Sequence, residues 1–234
     1  MSESRLPSTV IKDFVKDYWS GRADTFDESP NHHWHDEFQH QAWLDVLGDI
    51  AGEERISVLD LGSGTGFLSL LLAELGHFVT GTDISPQMVL NAERKAEEGG
   101  RDTRFRLGDI EELPDADNTY DLVVGRHVIW TIPNPDLALK EWLRVLRPGG
   151  KLALFEFAGR GGTESDTEQK RTINGYEEFA EYLPFYGGSE SERLMEAYEE
   201  AGFTSVMARS LMDETLWRIP MTNERYVAIG RKPE

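Results

Sequence analysis

Cysteine is absent from this chain of 234 residues, which excludes a disulfide framework and metal sites built on thiolates. Also absent is any run of about 18 apolar residues, so the sequence predicts no membrane-spanning helix. The first five residues lack the apolar core of a secretory signal. These absences favour a cytoplasmic protein with no membrane partner, and the length favours one ordinary domain.

Basic residues are scarce as well. The chain has 24 Lys and Arg against 43 Asp and Glu, which gives a net charge of −19. Such a surface repels phosphate backbones, and no Lys–Arg cluster interrupts it, so nucleic acid is not an expected partner. The charge favours solubility or adaptation to salt, and attraction of a cationic acceptor is the alternative.

The most informative segment is an apolar run followed by three glycines. Residues 56–61 are typical of a buried strand, and Gly62, Gly64 and Gly66 follow at every second position. Glycines let the chain turn sharply and admit a ligand against bare backbone. The spacing differs from the dinucleotide motif G-x-G-x-x-G because Phe67 takes the place of the third glycine, and the lysine of a phosphate loop is missing.

Further apolar segments repeat the pattern of a strand that ends near an acid or a turn. Asp83 comes 17 residues after Gly66, and Ser85 and Pro86 then begin a helix with a capping residue and a proline at its first position. Asp109 ends a third strand. The predicted strands of this series are 56–61, 78–83, 104–110 and 120–125, and residues 146–154 are predicted to form a turn that enters a fifth strand.

This order of motifs resembles the class I S-adenosylmethionine (SAM) methyltransferases that act on small molecules. The resemblance runs from about residue 56 to residue 156. It implies a Rossmann-like α/β fold with a seven-stranded, mostly parallel sheet whose last strand is antiparallel. It also implies SAM as the cofactor, a small-molecule acceptor, and a monomer or homodimer.

The chain then divides into four parts of a single domain, 1–234. Residues 1–55 are expected to form a helical cap, and 56–157 the SAM-binding core. Residues 158–188 interrupt the alternation with glycines and then aromatics, which predicts an insertion that caps the substrate. Residues 189–234 return to the core with a helix and two strands.

The resemblance also assigns roles to single residues. Asp60 is expected near the amino group of the cofactor's methionine half, Asp83 at the ribose hydroxyls and Asp109 at the adenine amino group. Residues 18–27 are similar to the "YW..RA..YD" segment of many small-molecule members, in which Arg22 would pair with the cofactor carboxylate. The predicted cofactor-binding residues are Tyr18, Arg22, Asp60, Gly62, Ser63, Gly64, Asp83, Ile84, Met88, Asp109, Ile110 and Arg126.

The segment after the fourth strand is where this family transfers the methyl group. It lacks the Asn/Asp-Pro-Pro-Tyr/Phe motif of amide and DNA-base N-methyltransferases, and its Arg-His pair is similar to small-molecule members. His127 is the predicted general base, since an unperturbed imidazole pKa of about 6.5 suits proton transfer. Packing beside the cofactor is its alternative role. The predicted acceptor-binding residues are Tyr18, His35, His127, Trp130 and Tyr186.

Four closely spaced histidines lie at positions 32–40, but no cysteine or organised acid accompanies them, so no metal site is predicted. Three other functions remain open. A SAM enzyme could instead catalyse cyclisation of SAM by its own amino group, which needs a closed, water-poor pocket. The glycine spacing disfavours an NAD(P) oxidoreductase, and the intact acid and glycines disfavour a non-catalytic SAM-binding protein.

Overall fold

The computed structural model describes residues 6–29, 32–158, 175–217, 221 and 223–234. The α-helices in these ranges are α1 (Ser8–Ser20), α2 (Glu37–Ala51), α3 (Phe67–Glu74), α4 (Pro86–Glu98), α5 (Pro135–Val145) and α6 (Ser191–Ala201). Short 3₁₀ helices lie at Ala23–Glu28, Ile129–Thr131, Tyr176–Tyr182 and Glu214–Leu216.

The strands form one seven-stranded sheet in the order β3-β2-β1-β4-β5-β7-β6. They are β1 (Ser57–Leu61), β2 (Phe78–Asp83), β3 (Thr103–Leu107), β4 (Tyr120–Arg126), β5 (Leu146–Phe157), β6 (Thr204–Ser210) and β7 (Arg225–Arg231). Strands β1 to β5 pair in parallel, and β7 runs antiparallel to both β5 and β6.

The strand order reverses between β1 and β4. From β1 the chain moves outward through β2 to β3, then crosses back to place β4 on the other side of β1. The loops that leave β1 and β4 therefore diverge to opposite faces and open a crevice at the carboxyl ends of the strands. In open α/β sheets, this reversal is where ligands bind.

Local sequence explains where the helices begin. The Ser85 hydroxyl accepts from the Met88 amide at 3.2 Å, and Pro86 occupies the first turn of α4. At α2, the Asp36 carboxylate accepts from the Gln39 amide at 2.9 Å. Both caps satisfy amides that have no partner within the first helical turn.

Two apolar cores cover the two faces of the sheet. One packs α1, α5 and α6 against it and includes the buried rings of Trp142 and Tyr198. The other packs α2 and α3 against the opposite face around Trp43. Because the central strands are apolar on both faces, they need cover on both sides, as parallel sheets do.

The N-terminal segment is held over the glycine loop by polar contacts. The Asp27 carboxylate accepts from the Thr65 hydroxyl at 2.5 Å and pairs with the Lys95 ammonium at 2.7 Å. The Asn91 side-chain amide donates to the Ala23 carbonyl at 3.0 Å. These bonds tie Ala23–Glu28 to the glycine loop and to α4, so that this segment closes one side of the crevice.

The predicted fold is confirmed: the sheet has seven strands and its last strand is antiparallel. The third strand is shorter than predicted and ends at Leu107, which leaves Asp109 in the following loop. The fifth strand is confirmed, and it runs from Leu146 to Phe157, so it includes residues that were predicted to form the preceding turn. Of the predicted insertion, 159–174 lie outside the described residues. Among the helices that are described, none has the length and apolarity needed to span a bilayer.

Candidate active site

A cavity of about 360 Å³ occupies the crevice at the strand ends. Its walls come from the loops after β1, β2, β3 and β4, and α1 with Ala23–Glu28 forms its roof. Every predicted cofactor-binding residue lies on its lining: Tyr18, Arg22, Asp60, Gly62, Ser63, Gly64, Asp83, Ile84, Met88, Asp109, Ile110 and Arg126. Residues from four separate loops therefore meet in one space, although their individual roles toward a cofactor remain predictions.

The glycine loop forms the floor of this cavity. Gly62 has a φ of +58°, and a Cβ there would lie 2.7 Å from the Val128 side chain. Gly64 has a φ of +54° and faces the Phe26 ring. Any other residue at Gly62 would be strained and would clash, so the bare backbone is required for the loop to approach both β4 and the cavity.

Asp83 joins the end of β2 to the glycine loop. One carboxylate oxygen accepts from the Gly64 amide and the other from the Ser85 amide, each at 2.8 Å. Burial raises the pKa of Asp83 against the opposing effect of these bonds. Each carboxylate oxygen retains a further lone pair, so the group can still accept hydroxyl donors from a ligand.

Asp60 is the second buried acid on the wall. Its Oδ2 accepts from the Ser69 hydroxyl at 2.6 Å and from the Ser69 amide at 3.0 Å, so both bonds fall on one oxygen. Burial raises the pKa of Asp60 to about 7, and the nearby Asp83 adds to the shift. A cationic group in the cavity would therefore be stabilised by Asp60 and would in turn favour its ionised form.

Asp109 forms an ion pair with a lysine that was not among the predicted site residues. Lys12 of α1 places its ammonium 2.7 Å from the Asp109 carboxylate and 2.5 Å from Glu111. All three residues line the cavity. No sequence signal joins Lys12 to Asp109, because 97 positions separate them.

Arg126 ends β4 and lies among aromatic rings. Its guanidinium carbon is 4.0 Å from the ring centre of Phe67, 5.2 Å from Trp43 and 5.7 Å from Trp217. Burial lowers the pKa of Arg126 to about 9, with Arg225 contributing. The group remains charged at neutral pH, and the ring faces stabilise that charge.

His127 and Trp130, two predicted acceptor-binding residues, line the cavity together with Tyr18. The His127 ring packs on Phe157, with centroids 5.3 Å apart. Burial lowers the pKa of His127 well below its ordinary value, and the cationic Arg126 adds to the shift. The imidazole is therefore neutral at physiological pH, the state in which a general base must be.

His35 and Tyr186 do not lie on the cavity wall. His35 lies one residue before the N-cap of α2, where its amide donates to the Gln39 side chain, and the lining residue of its segment is instead His32. The His32 ring stacks on Phe26, with centroids 3.9 Å apart, and burial lowers its pKa to about 4. Beside Tyr186, it is Gly187 that reaches the wall.

Metal ligands are not assembled in the described ranges, where no group of three or more His, Asp or Glu side chains has the geometry to hold an ion. The cavity instead combines two buried acids, one buried guanidinium, neutral histidines and aromatic walls. Such a site suits an organic ligand with a hydroxyl-bearing part and a cationic part better than it suits a metal.

Comparison with known proteins agrees with this geometry. A family model described as a methyltransferase domain matches residues 59–154. The ubiquinone/menaquinone biosynthesis C-methyltransferase UbiE of Bdellovibrio bacteriovorus is 38% identical over 124 residues, which are 50% of this chain and 52% of that protein. The chain spans about half the length of the first curated relatives that it matches.

Solved structures share the fold over nearly the whole chain. Phosphoethanolamine N-methyltransferase 2 of Haemonchus contortus, in complex with phosphomonomethylethanolamine and S-adenosylhomocysteine (SAH), has a TM-score of 0.72 at 19% identity, over 96% of this chain and 60% of that one. The [4+2]-cyclase SpnF has a TM-score of 0.70 at 20% identity, over 95% and 97%. The same fold thus serves different reactions.

Proposed function

We propose that this protein, whose residues 59–154 match a family model described as a methyltransferase domain, is a class I SAM-dependent enzyme that transfers a methyl group from SAM to a small-molecule acceptor and releases SAH. The observation that carries the proposal is the pair of buried carboxylates at the ends of neighbouring strands. Asp60 and Asp83 lie on one cavity wall, on either side of a bare glycine loop.

The residues present fit SAM. Asp83 has spare lone pairs for two ribose hydroxyls, and Asp60 offers a negative charge to the ammonium group of the methionine half. Arg22, whose guanidinium donates to the Tyr18 hydroxyl at 3.1 Å, is suited to the cofactor carboxylate. When bound, SAM supplies a methyl group on a sulfonium sulfur that is open to in-line attack.

The acceptor would lie on the side of the cavity lined by His127, Trp130 and Tyr18. These walls are aromatic, and α1 covers them, which favours a small and largely apolar acceptor over a polymer. The Bdellovibrio relative is named for methylation in quinone biosynthesis, and this supports a small-molecule acceptor here. The net charge of −19 opposes nucleic acid.

The chain's own contribution would be positioning and exclusion of water. The roof formed by α1 and Ala23–Glu28 shields the cavity, and the aromatic walls restrict how an acceptor can approach. His127 would accept a proton where the acceptor must lose one. We further propose a cytoplasmic enzyme that works as a monomer or homodimer.

The test is product formation. Purified protein is incubated with SAM and a panel of quinols, phenols, thiols and amines, and SAH and methylated product are followed by mass spectrometry. We expect SAH to form together with one methylated acceptor class, and the Asp83→Ala variant to form neither. A cyclised SAM product without any methylated acceptor would favour the intramolecular reaction, and failure to bind SAM or SAH would exclude both.

A further inference from the structure

Glu156 is a buried acid in the apolar strand β5, next to the cavity but not part of its lining. One carboxylate oxygen accepts from the Val128 amide at 3.0 Å and the Ile129 amide at 3.2 Å. The other oxygen, Oε2, is fully buried and has no hydrogen-bond partner among the described residues. A buried carboxylate oxygen without a donor is costly, so its retention calls for an explanation.

A ring nitrogen of His127 close to that oxygen is also buried without a hydrogen-bond partner among the described residues. Nδ1 of His127 lies 3.8 Å from Oε2 of Glu156 and is likewise buried without a hydrogen-bond partner in the described part of the chain. The His127 side chain still keeps 22% of its surface exposed, and the residue lines the cavity. Nδ1 therefore faces the protein, and the distal part of the ring, which carries Nε2, is the part left for the cavity.

The backbone of His127 is held in an unfavourable conformation. Its φ of +56° lies in the left-handed region, which a residue with a side chain adopts at an energetic cost. The His127 amide donates to the Phe155 carbonyl at 3.0 Å, and the next two amides donate to Glu156. Strand β5 thus holds the turn after β4 in the conformation that brings the two unpartnered atoms together.

From this geometry we infer that Glu156 is a positioning residue that fixes the tautomer of His127, with the proton on Nδ1 and the lone pair of Nε2 directed to the acceptor. The inference rests on the proposed function and deepens it. It specifies the acceptor class as molecules whose attacking atom carries a proton that must be removed, such as a phenol or quinol, a thiol or an amide N–H.

The proton balance of the step is simple. As the attacking atom forms its bond to the methyl carbon, the methyl–sulfur bond breaks and its electron pair remains on sulfur. The proton of the attacking atom moves to Nε2, and the resulting imidazolium keeps its Nδ1 proton against the Glu156 carboxylate. Release of the Nε2 proton to water restores the neutral histidine.

The surroundings of the pair set its pH dependence. Arg126, Arg225 and His32 disfavour a charged His127, and the Glu156 carboxyl group lies beside the ring, with its Oε2 3.8 Å from Nδ1. Burial raises the pKa of Glu156 to about 8. A protonated Glu156 would donate to Nδ1 and leave the ring proton on Nε2, where it blocks the base. Activity should therefore rise with pH as the coupled pair loses its proton.

The Glu156→Gln variant tests the inference directly. Its amide oxygen can still accept from the Val128 and Ile129 amides, whereas its NH₂ group faces Nδ1 and donates to it. The ring proton is then forced onto Nε2. The matched control is Glu141→Gln, because Glu141 also accepts from a loop amide, that of Leu113 at 2.8 Å, but lies outside the cavity lining.

The first readout is the tautomer, which requires no acceptor. In protein labelled with ¹⁵N-histidine at pH 9, long-range ¹H–¹⁵N correlation spectra should show the Nδ1–H form of His127 in wild type and in Glu141→Gln, and the Nε2–H form in Glu156→Gln. The His127→Gln variant assigns the signal. An Nε2–H form in wild type at this pH would overturn the inference.

The second readout is turnover with 1,4-naphthohydroquinone as acceptor, beside SAH affinity by calorimetry. For Glu156→Gln we expect an SAH affinity within about twofold of wild type, a turnover roughly 10² lower or more, and loss of the rise in activity with pH. An unchanged turnover and pH profile with SAH binding intact would contradict the inference. If the wild-type protein does not bind SAH at all, the proposed function is contradicted, and the tautomer measurement alone then decides the inference about Glu156.

Discussion

Asp83 offers the sharpest quantitative test of the cofactor site. Its carboxylate is buried at the end of β2 and already accepts two backbone amides, from Gly64 and Ser85. If it also accepts the ribose hydroxyls, Asp83→Asn should remove at least one charged hydrogen bond, which is worth about 1.5–3 kcal/mol. At about 1.4 kcal/mol per factor of ten, SAH affinity should fall roughly 10- to 100-fold.

A change in the loop alone could also lower affinity, so the assay is a double-mutant cycle. Calorimetry compares SAH with 2′,3′-dideoxy-SAH on wild type and on Asp83→Asn. We expect removal of the hydroxyls to weaken binding strongly in wild type and hardly at all in the variant. The coupling energy then reports the contact itself and excludes the general effect of the substitution on the loop.

The matched control is Asp121→Asn. Asp121 also accepts from a backbone amide, that of Ser57 at 2.9 Å, but it is not part of the cavity lining. Its substitution should change the free energy of unfolding and leave SAH affinity unchanged. Equal losses from removing the hydroxyls in wild type and in Asp83→Asn would refute the ribose contact and assign it to another residue.

Other substitutions test the remaining parts of the site. His127→Ala should leave SAH binding nearly intact by calorimetry and lower turnover, and full activity would assign catalysis to proximity alone. Because the pKa of Glu156 is raised from 4.5 to about 8 on folding, the folded state binds a proton between these values that the unfolded state lacks. The free energy of unfolding should therefore fall as pH rises through this window, by up to about 1.4 kcal/mol per pH unit, and urea titrations of Glu156→Gln should lack this component. Lys12→Met leaves the Asp109 and Glu111 carboxylates without their shared cation and should lower the midpoint of thermal unfolding. An unchanged midpoint would show that the two ion pairs of Lys12 contribute little to stability.

The floor of the site could be predicted from sequence because it depends on local patterns. An apolar strand, an acid and glycines at fixed spacing specify a strand, a turn and a helix almost without tertiary information. For this reason Asp60, Gly62 and Asp83 all lie where the pattern placed them. The end of β3 was less well predicted, because the apolar Ile110 suggested a longer strand, whereas pairing with β2 ends at Leu107.

The roof and the acceptor side depend on contacts between distant segments. Four nearby histidines are equivalent in the sequence, and in the structure it is His32, stacked on Phe26, that lines the cavity instead of His35. Lys12 reaches Asp109 in the loop after β3 from helix α1, and no spacing rule predicts a contact across 97 positions. Glu156 did carry a signal that could have been used, because a single acid inside the apolar run 152–157 needs a buried partner.

The most direct measurement of the central claim is cofactor selectivity. Calorimetric titration of the purified protein with SAH and with NAD, under the same conditions, distinguishes a methyltransferase site from a dinucleotide site. Because Phe67 takes the place of the third glycine of the dinucleotide loop, and Asp60 lies where a cationic ligand end would bind, we predict clear binding of SAH and much weaker or undetectable binding of NAD. NAD binding comparable to that of SAH would contradict the account.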